Sequence, residues 1–264
     1  MTLKLTARPA REVVPGRVLL VDADLLLYLS RDPDEPLEYV LHSVKEMLLE
    51  MQERTRCETM RCILSSPINF RYEIFPKYKA NRKDKEKPPH YQATKGYLIK
   101  HWNAEVAPDG WEADDELAKI MTEALAFEHE VIRHSWCVDM STFKTFVIAT
   151  LDKDFHTVPG RYYKWRGHHA GHIYRVNEED AMAFLAYQLL TGDSADGIIS
   201  PLKAPLKDGT LGKTGYGHVK ARDFLLQFDY AEMKTKVYEL YCSQGFREEF
   251  HVNYKLLAIG RTEV

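Results

Sequence analysis

The chain is short of what several functional classes require. Its four cysteines, Cys57, Cys62, Cys137 and Cys242, show no C-x-x-C spacing. That scarcity excludes a disulfide framework and a cysteine-built zinc module, and it implies reduced thiols. No apolar run approaches membrane-spanning length, and the first residues lack the apolar core of a signal peptide. A cytoplasmic protein without membrane contact is therefore expected. Excess positive charge is missing too, with 36 Lys and Arg against 39 Asp and Glu and a formal net charge of −3. A nucleic-acid partner has to be argued from local patches rather than bulk charge. Neither an internal repeat nor a low-complexity tract is present, and 264 residues fit one large domain or one domain with a small appendage.

What is present is acid in recurring places. Asp22-Ala23-Asp24, Glu112-Ala113-Asp114-Asp115, Asp152-Lys153-Asp154 and Asp193-Ser194-Ala195-Asp196 all stand where strands end or helices begin. Between the first two runs a basic stretch, 71–100, with nine Lys and Arg (Arg71, Lys79, Arg82 and Lys83 among them) against three acids. Carboxylates converging on one point repel, so folding them together is costly unless cations neutralise them. Hard oxygen ligands suit Mg²⁺ or Mn²⁺. Two such ions about 4 Å apart clamp the attacking and leaving oxygens of a phosphodiester, which makes a metal-dependent nuclease the leading expectation.

Apolar patterning supplies the scaffold. Short runs at 17–21, 61–64, 103–107, 145–151 and 173–176 read as strands. Leu37, Val40, Leu41, Val44, Leu48 and Met51 recur at helical spacing, a second helix begins near Glu112, and a third spans 178–191. The alternation predicts an α/β fold, a mostly parallel sheet with flanking helices. In such sheets the site lies beyond the carboxyl ends of the strands, where Asp22, Asp152 and Asp154 fall. The basic, proline-punctuated stretch 69–100 reads as a projecting segment rather than core. Glycines and prolines break up 197–217 and helices follow to about Leu257, so the expected division is an α/β core at 17–196 and a helical DNA-binding subdomain at 197–264.

Each acidic run also has an ordinary reading. Asp-Lys-Asp is common in solvated turns, and acids in a first helical turn are favoured by the helix dipole. Asp152 and Asp154, two apart on an extended strand end, are expected to point the same way. Asp193 and Asp196, three apart, are expected to share a helical face. His168, His169 and His172 sit among glycines and read as an exposed loop rather than a metal site.

Taken together, Asp22, Tyr78-Lys79-Ala80-Asn81-Arg82, the Glu112–Asp115, Asp152–Asp154 and Asp193–Asp196 runs and Gly215-Tyr216-Gly217-His218-Val219-Lys220-Ala221 occur in an order that resembles the 5′-nuclease family. That family includes the flap endonucleases, and the resemblance is closest to the bacteriophage 5′→3′ exonucleases. It implies a PIN-like α/β fold with a helical arch and a helix-turn-helix hairpin. Asp22, Glu112, Asp114 and Asp115 would form an inner metal cluster, with Asp152, Asp154, Asp193 and Asp196 completing a second position. Lys79 and Arg82 would hold the scissile phosphate, and Tyr78 would stack on a base. Arg71 and Lys83 would add DNA contacts, while Gly215, Gly217 and Lys220 would grip duplex phosphate through a hairpin that can bind K⁺. The implied substrate is DNA with free 5′ ends, flaps or RNA primers, handled by a monomer beside replication proteins. One departure stands out: the family's acid after the second strand is absent, and this chain reads Leu64-Ser65-Ser66-Pro67.

Two other functions fit part of the pattern. Asp22-Ala23-Asp24 after an apolar strand, with Asp193 and Asp196 later, also suits a haloacid-dehalogenase-type phosphatase, which leaves the other acidic runs and the glycine hairpin unused. A non-catalytic homologue that binds branched DNA would account for the missing acid.

Overall fold

A computed structural model describes residues 12–30, 32–82, 85–133, 144–168, 170–206 and 209–260. Lys83, Cys137 and His169, named among the expectations from sequence, lie outside these residues. Six strands form one sheet in the order β3-β2-β1-β4-β5-β6. They are β1 Val14–Asp22, β2 Cys57–Leu64, β3 Glu105–Val106, β4 Thr145–Ala149, β5 Gly160–Tyr163 and β6 Ile173–Val176. All neighbours pair in parallel except β5 and β6, which are antiparallel.

The central position of β1 follows from its sequence. Val18, Leu19, Leu20 and Val21 form a continuous apolar run, and all four are buried because both faces of the strand are covered. On one side Leu19 and Val21 meet α1 Leu37–Thr55, whose Val44, Leu48 and Met51 recur at helical spacing. On the other, Val18 and Leu20 meet α4 Ala113–Arg133 through Leu117 and Met121. Each such side chain contributes about 1.5–3 kcal/mol.

The structure differs from the sequence expectation in five places. β5 was not foreseen, because Gly160-Arg161-Tyr162-Tyr163 is short and carries an arginine; that arginine is paired with Glu128 of α4. The strand expected at 103–107 shrinks to two residues, and the one expected at 145–151 stops at Ala149. The stretch 69–100 is not simply a projection. It contains α2 Arg71–Ile74, a 3₁₀ turn Ala80–Arg82 and α3 Tyr91–Trp102, and it buries Arg71, Tyr78, Thr94 and Leu98. Lastly, among the described residues no helix directly precedes Gly215–Ala221: 26 residues separate α5 Glu178–Thr191 from α6 His218–Leu225, with a Pro205–Leu211 bridge between them.

The carboxyl-terminal helices, α6, α7 Tyr230–Ser243 and α8 Arg247–Leu257, share an apolar cluster with Leu185, Leu189 and Leu190 of α5 and with Tyr78. The packing thus runs across position 196. Beyond α8 the chain returns to the sheet layer, where Ile259 joins the cluster beneath α4 and Gly260 donates its N–H to Asp115. Among the described residues no helix is long and apolar enough to cross a membrane.

Candidate active site

Strand order reverses at β1, which has β2 on one side and β4 on the other, and a crevice opens beyond the carboxyl ends of these strands. A cavity of about 400 Å³ lies there. Asp22 reaches it from the last residue of β1, Glu112 and Asp114 from the start of α4, and Asp152 from the loop after β4. Lys79 and Arg82 line the same cavity, as do Ser65, past the end of β2, and Asp24.

The electrostatics of this crevice are those of crowded, poorly solvated acids. Burial pushes the Asp22 carboxyl up to about 8, aided by Asp24 and Asp152, while a hydrogen bond from Thr150 works the other way. Burial also holds Asp114 well above the ordinary carboxylate range, reinforced by Asp115 and Glu112. Glu112 is half-buried, yet Lys79 and Arg71 outweigh the desolvation and keep its carboxyl below the usual range. Lys79 Nζ donates to Glu112 Oε1 at 2.6 Å and lies 3.9 Å from Asp196 Oδ2. Backbone geometry aids that reach, since Lys79 adopts a left-handed conformation (φ 51°) and donates its N–H to the Asp196 carbonyl.

Thr150 is a linking residue outside the acidic and basic runs. Its hydroxyl donates to Asp22 Oδ2 at 2.9 Å and accepts the Asp152 N–H at 3.0 Å, so one buried side chain joins the two strand ends. The signal was a lone polar residue closing the apolar run Phe146 to Ala149. Asp24, noted in the first acidic run but given no role, also faces the crevice.

The other acids are placed differently from expectation. Asp152 and Asp154 do not point the same way: the chain has left the strand, Asp152 accepts the Asp154 N–H at 2.9 Å, and Asp154 turns to accept from Gln188 at 2.6 Å. Burial, then Asp152 and Asp193, push Asp154 up to about 7. Asp193 and Asp196 lie in a turn beyond α5 rather than on a helical face. Lys153 Nζ sits 2.6 Å from Asp193 and 3.8 Å from Asp154. Asp196 takes Arg82 at 2.6 Å and the Tyr78 hydroxyl at 3.0 Å.

Three assignments are corrected by burial. Arg71 is 1% exposed, bonded to Asp115, Glu112 and the Leu256 carbonyl, and is no DNA contact. Tyr78 is buried with its hydroxyl on Glu112 and Asp196, so its ring cannot stack on a base. Asp115 has both oxygens taken by Arg71, with Gly260 N–H on one of them, and faces away from the crevice as a structural partner. Gly217 caps α6 with ordinary backbone angles (φ −85°), and a Cβ built there meets nothing within 4 Å. Gly215 likewise lacks a positive φ, and Lys220 is exposed on α6.

Do these residues fit a divalent cation? Among the described residues no group of three His, Cys, Asp or Glu side chains is arranged to hold one as it stands. The donor chemistry nevertheless suits a hard cation. Asp22, Glu112, Asp114 and Asp152 offer oxygen alone, and burial with mutual repulsion at Asp22 and Asp114 is what a divalent charge relieves.

No family model matches the sequence, and no curated protein matches it. Solved structures do match by shape. A bacteriophage T5 protein co-crystallised with metal ions superposes with a TM-score of 0.59 at 15% identity, over 92% of this chain and 90% of that one. A bacteriophage T5 flap endonuclease in complex with DNA and metal ions gives 0.57 at 14% identity, over 92% and 89%. The T5 5′-exonuclease with bound zinc gives 0.55 at 15% identity, over 92% and 90%. The α/β architecture implied by the sequence resemblance is the one found, and the chain has the fold of the bacteriophage T5 5′-exonuclease.

Proposed function

We propose that the protein is a Mg²⁺- or Mn²⁺-dependent, structure-selective 5′-nuclease that hydrolyses DNA phosphodiesters. The observation that carries the reading is the meeting of Asp22, Glu112, Asp114 and Asp152 with Lys79 and Arg82 in one crevice at the strand switch point. An acid-lined site beside fixed cations suits a polyanionic substrate that arrives with divalent ions. The chemistry such ions supply is activation of water and neutralisation of the phosphodiester.

The chain's own residues have separable tasks in this reading. Asp22, Glu112, Asp114 and Asp152 would hold the divalent ions, and Asp154, Asp193 and Asp196, which now take Gln188, Lys153 and Arg82, would serve a second position. Lys79 and Arg82 stabilise the negative charge that grows on the phosphate oxygens. The loop around Gly215 and Gly217, with Lys220 on α6, contacts duplex backbone and is a candidate K⁺ position. The substrates are free 5′ ends, flaps and RNA primers, and the setting is phage-type DNA replication, in the cytoplasm, by a monomer.

End-labelled duplexes test the reading. Label at the 5′ end should be released in Mg²⁺ and not in EDTA, and covalently closed circles should resist. Rapid release of 3′ label with the 5′ label untouched would overturn the polarity, and a trapped phosphoaspartate would point to a phosphatase. Tight binding of branched DNA in Ca²⁺ without cleavage in Mg²⁺ would identify a non-catalytic binder.

A further inference from the structure

We propose that Asp24 is a further carboxylate ligand of the cation site beside Asp22, Glu112, Asp114 and Asp152, delivered from β1 to the place at the end of β2 where the sequence has only serines. The inference rests on the nuclease reading above and deepens it.

Asp24 is the second residue of a 3₁₀ turn, Ala23–Tyr28, that leaves β1 directly after Asp22. Ala23, Leu26 and Leu27 anchor the turn in the core, so the position of Asp24 is set by packing rather than by solvent. Its two oxygens lie 3.3 and 3.2 Å from the backbone N–H of Ser65, the first residue past β2. Neutral donors of Ser65, its N–H and its hydroxyl, therefore hold the carboxylate at the end of the neighbouring strand, in the crevice shared with Asp22, Glu112 and Asp114.

Asp24 resembles Asp22, Asp114 and Asp152, which also lack an ion pair among the described residues, and differs from three other acids nearby. Glu112 is paired with Lys79, Asp196 with Arg82 and Asp193 with Lys153, each at 2.6 Å. Among the described residues no Lys or Arg forms an ion pair with Asp24. Lys95 bears on Asp24 only from beyond ion-pair distance, and a half-buried carboxylate with no cation in contact is unfavourable unless something positive comes to it. Ser65 cannot supply the missing charge: its hydroxyl accepts the Ala113 N–H at 2.8 Å and is only a neutral donor toward Asp24.

The test is Mn²⁺ binding by the full chain without DNA, followed through the spectrum of free Mn²⁺. Asp24→Asn keeps an acceptor for the Ser65 N–H and removes only the charge. It should weaken binding about tenfold or more, and Mn²⁺ should raise its melting temperature less than that of the parent. Asp24→Glu should retain most of the affinity and keeps the question open to measurement if the amide variant folds poorly. Adding Ser65→Asp to Asp24→Asn should recover part of the loss. Parental affinity in Asp24→Asn, together with clear loss in Asp152→Asn, would overturn the role of Asp24 and leave the nuclease reading standing. Parental affinity in both would remove the cation site and that reading with it.

Discussion

Arg71 grips both carboxylate oxygens of Asp115, Nη1 at 2.6 Å and Nη2 at 2.8 Å, in the interior between α2 and α4. Its Nε–H donates to the Leu256 carbonyl at the end of α8, so one guanidinium ties three helices together. An arginine that reads as part of a basic, DNA-facing stretch is thus a structural strut. Arg71→Ala would leave Asp115 buried and unpaired, at a cost of about 3–5 kcal/mol. Arg71→Lys should recover little, since an ammonium cannot make the two-pronged contact. Denaturant unfolding checks both variants, and parental stability in Arg71→Ala would show that the pair is dispensable.

Lys79→Ala should slow the chemical step by about a hundredfold or more, the range for losing one positioned charge donor. DNA affinity should fall far less, because Arg82 and Lys220 remain. Single-turnover rates at saturating enzyme decide it. A large loss of affinity with an unchanged rate would make Lys79 a generic backbone contact.

Asp152 and Asp154 should differ in effect although they are two residues apart. Asp152 lines the crevice and is joined to Asp22 through Thr150, whereas Asp154 turns to Gln188. Asp152→Asn should abolish Mg²⁺-dependent cleavage while duplex binding stays intact. Asp154→Asn should retain more activity at high Mg²⁺. Equal loss in both, at every Mg²⁺ concentration, would mean the two carboxylates act on the same ion.

Gly217→Val is a clean probe of the loop before α6. Its backbone angles are open to any residue and the added Cβ meets no neighbour, so the fold should survive. A branched side chain there should keep phosphate from the α6 N-terminus and weaken duplex affinity, with cleavage recovering at saturating enzyme. Normal affinity in a folded variant would rule the loop out as a duplex contact.

Without divalent ions, stability should fall as pH rises. Asp22 and Asp154 are pushed up to about 8 and about 7 in the folded chain, against an ordinary carboxylate value near 4. Between these values the folded state holds more protons than the unfolded one. The stabilisation from keeping these acids neutral is therefore complete below about pH 4 and is lost as pH climbs through 7 to 8. Melting in EDTA should show the decline, and Mg²⁺ should flatten it. A melting temperature in EDTA that climbs steadily from pH 5 to about pH 8 would contradict the raised values.

Local pattern alone determined much of this protein. The apolar run Val18–Val21 could only be a strand covered on both faces, the spacing of Val40, Val44, Leu48 and Met51 could only be an amphipathic helix, and Asp22 was bound to fall at a strand's carboxyl end. Those features depend on periodicity and on neighbours close in sequence. What only the tertiary structure decided is which charges meet. Arg71 and Lys79 look alike in a basic stretch, yet one is sealed against Asp115 and the other reaches the crevice. Asp152 and Asp154 share a strand-end motif, yet the turn after β4 sends them apart. Asp24 is separated from Ser65 by 41 residues and meets it because β1 and β2 pair in parallel. Solvation and pairing of a charge depend on what the chain brings from far away, and that is information no local window contains.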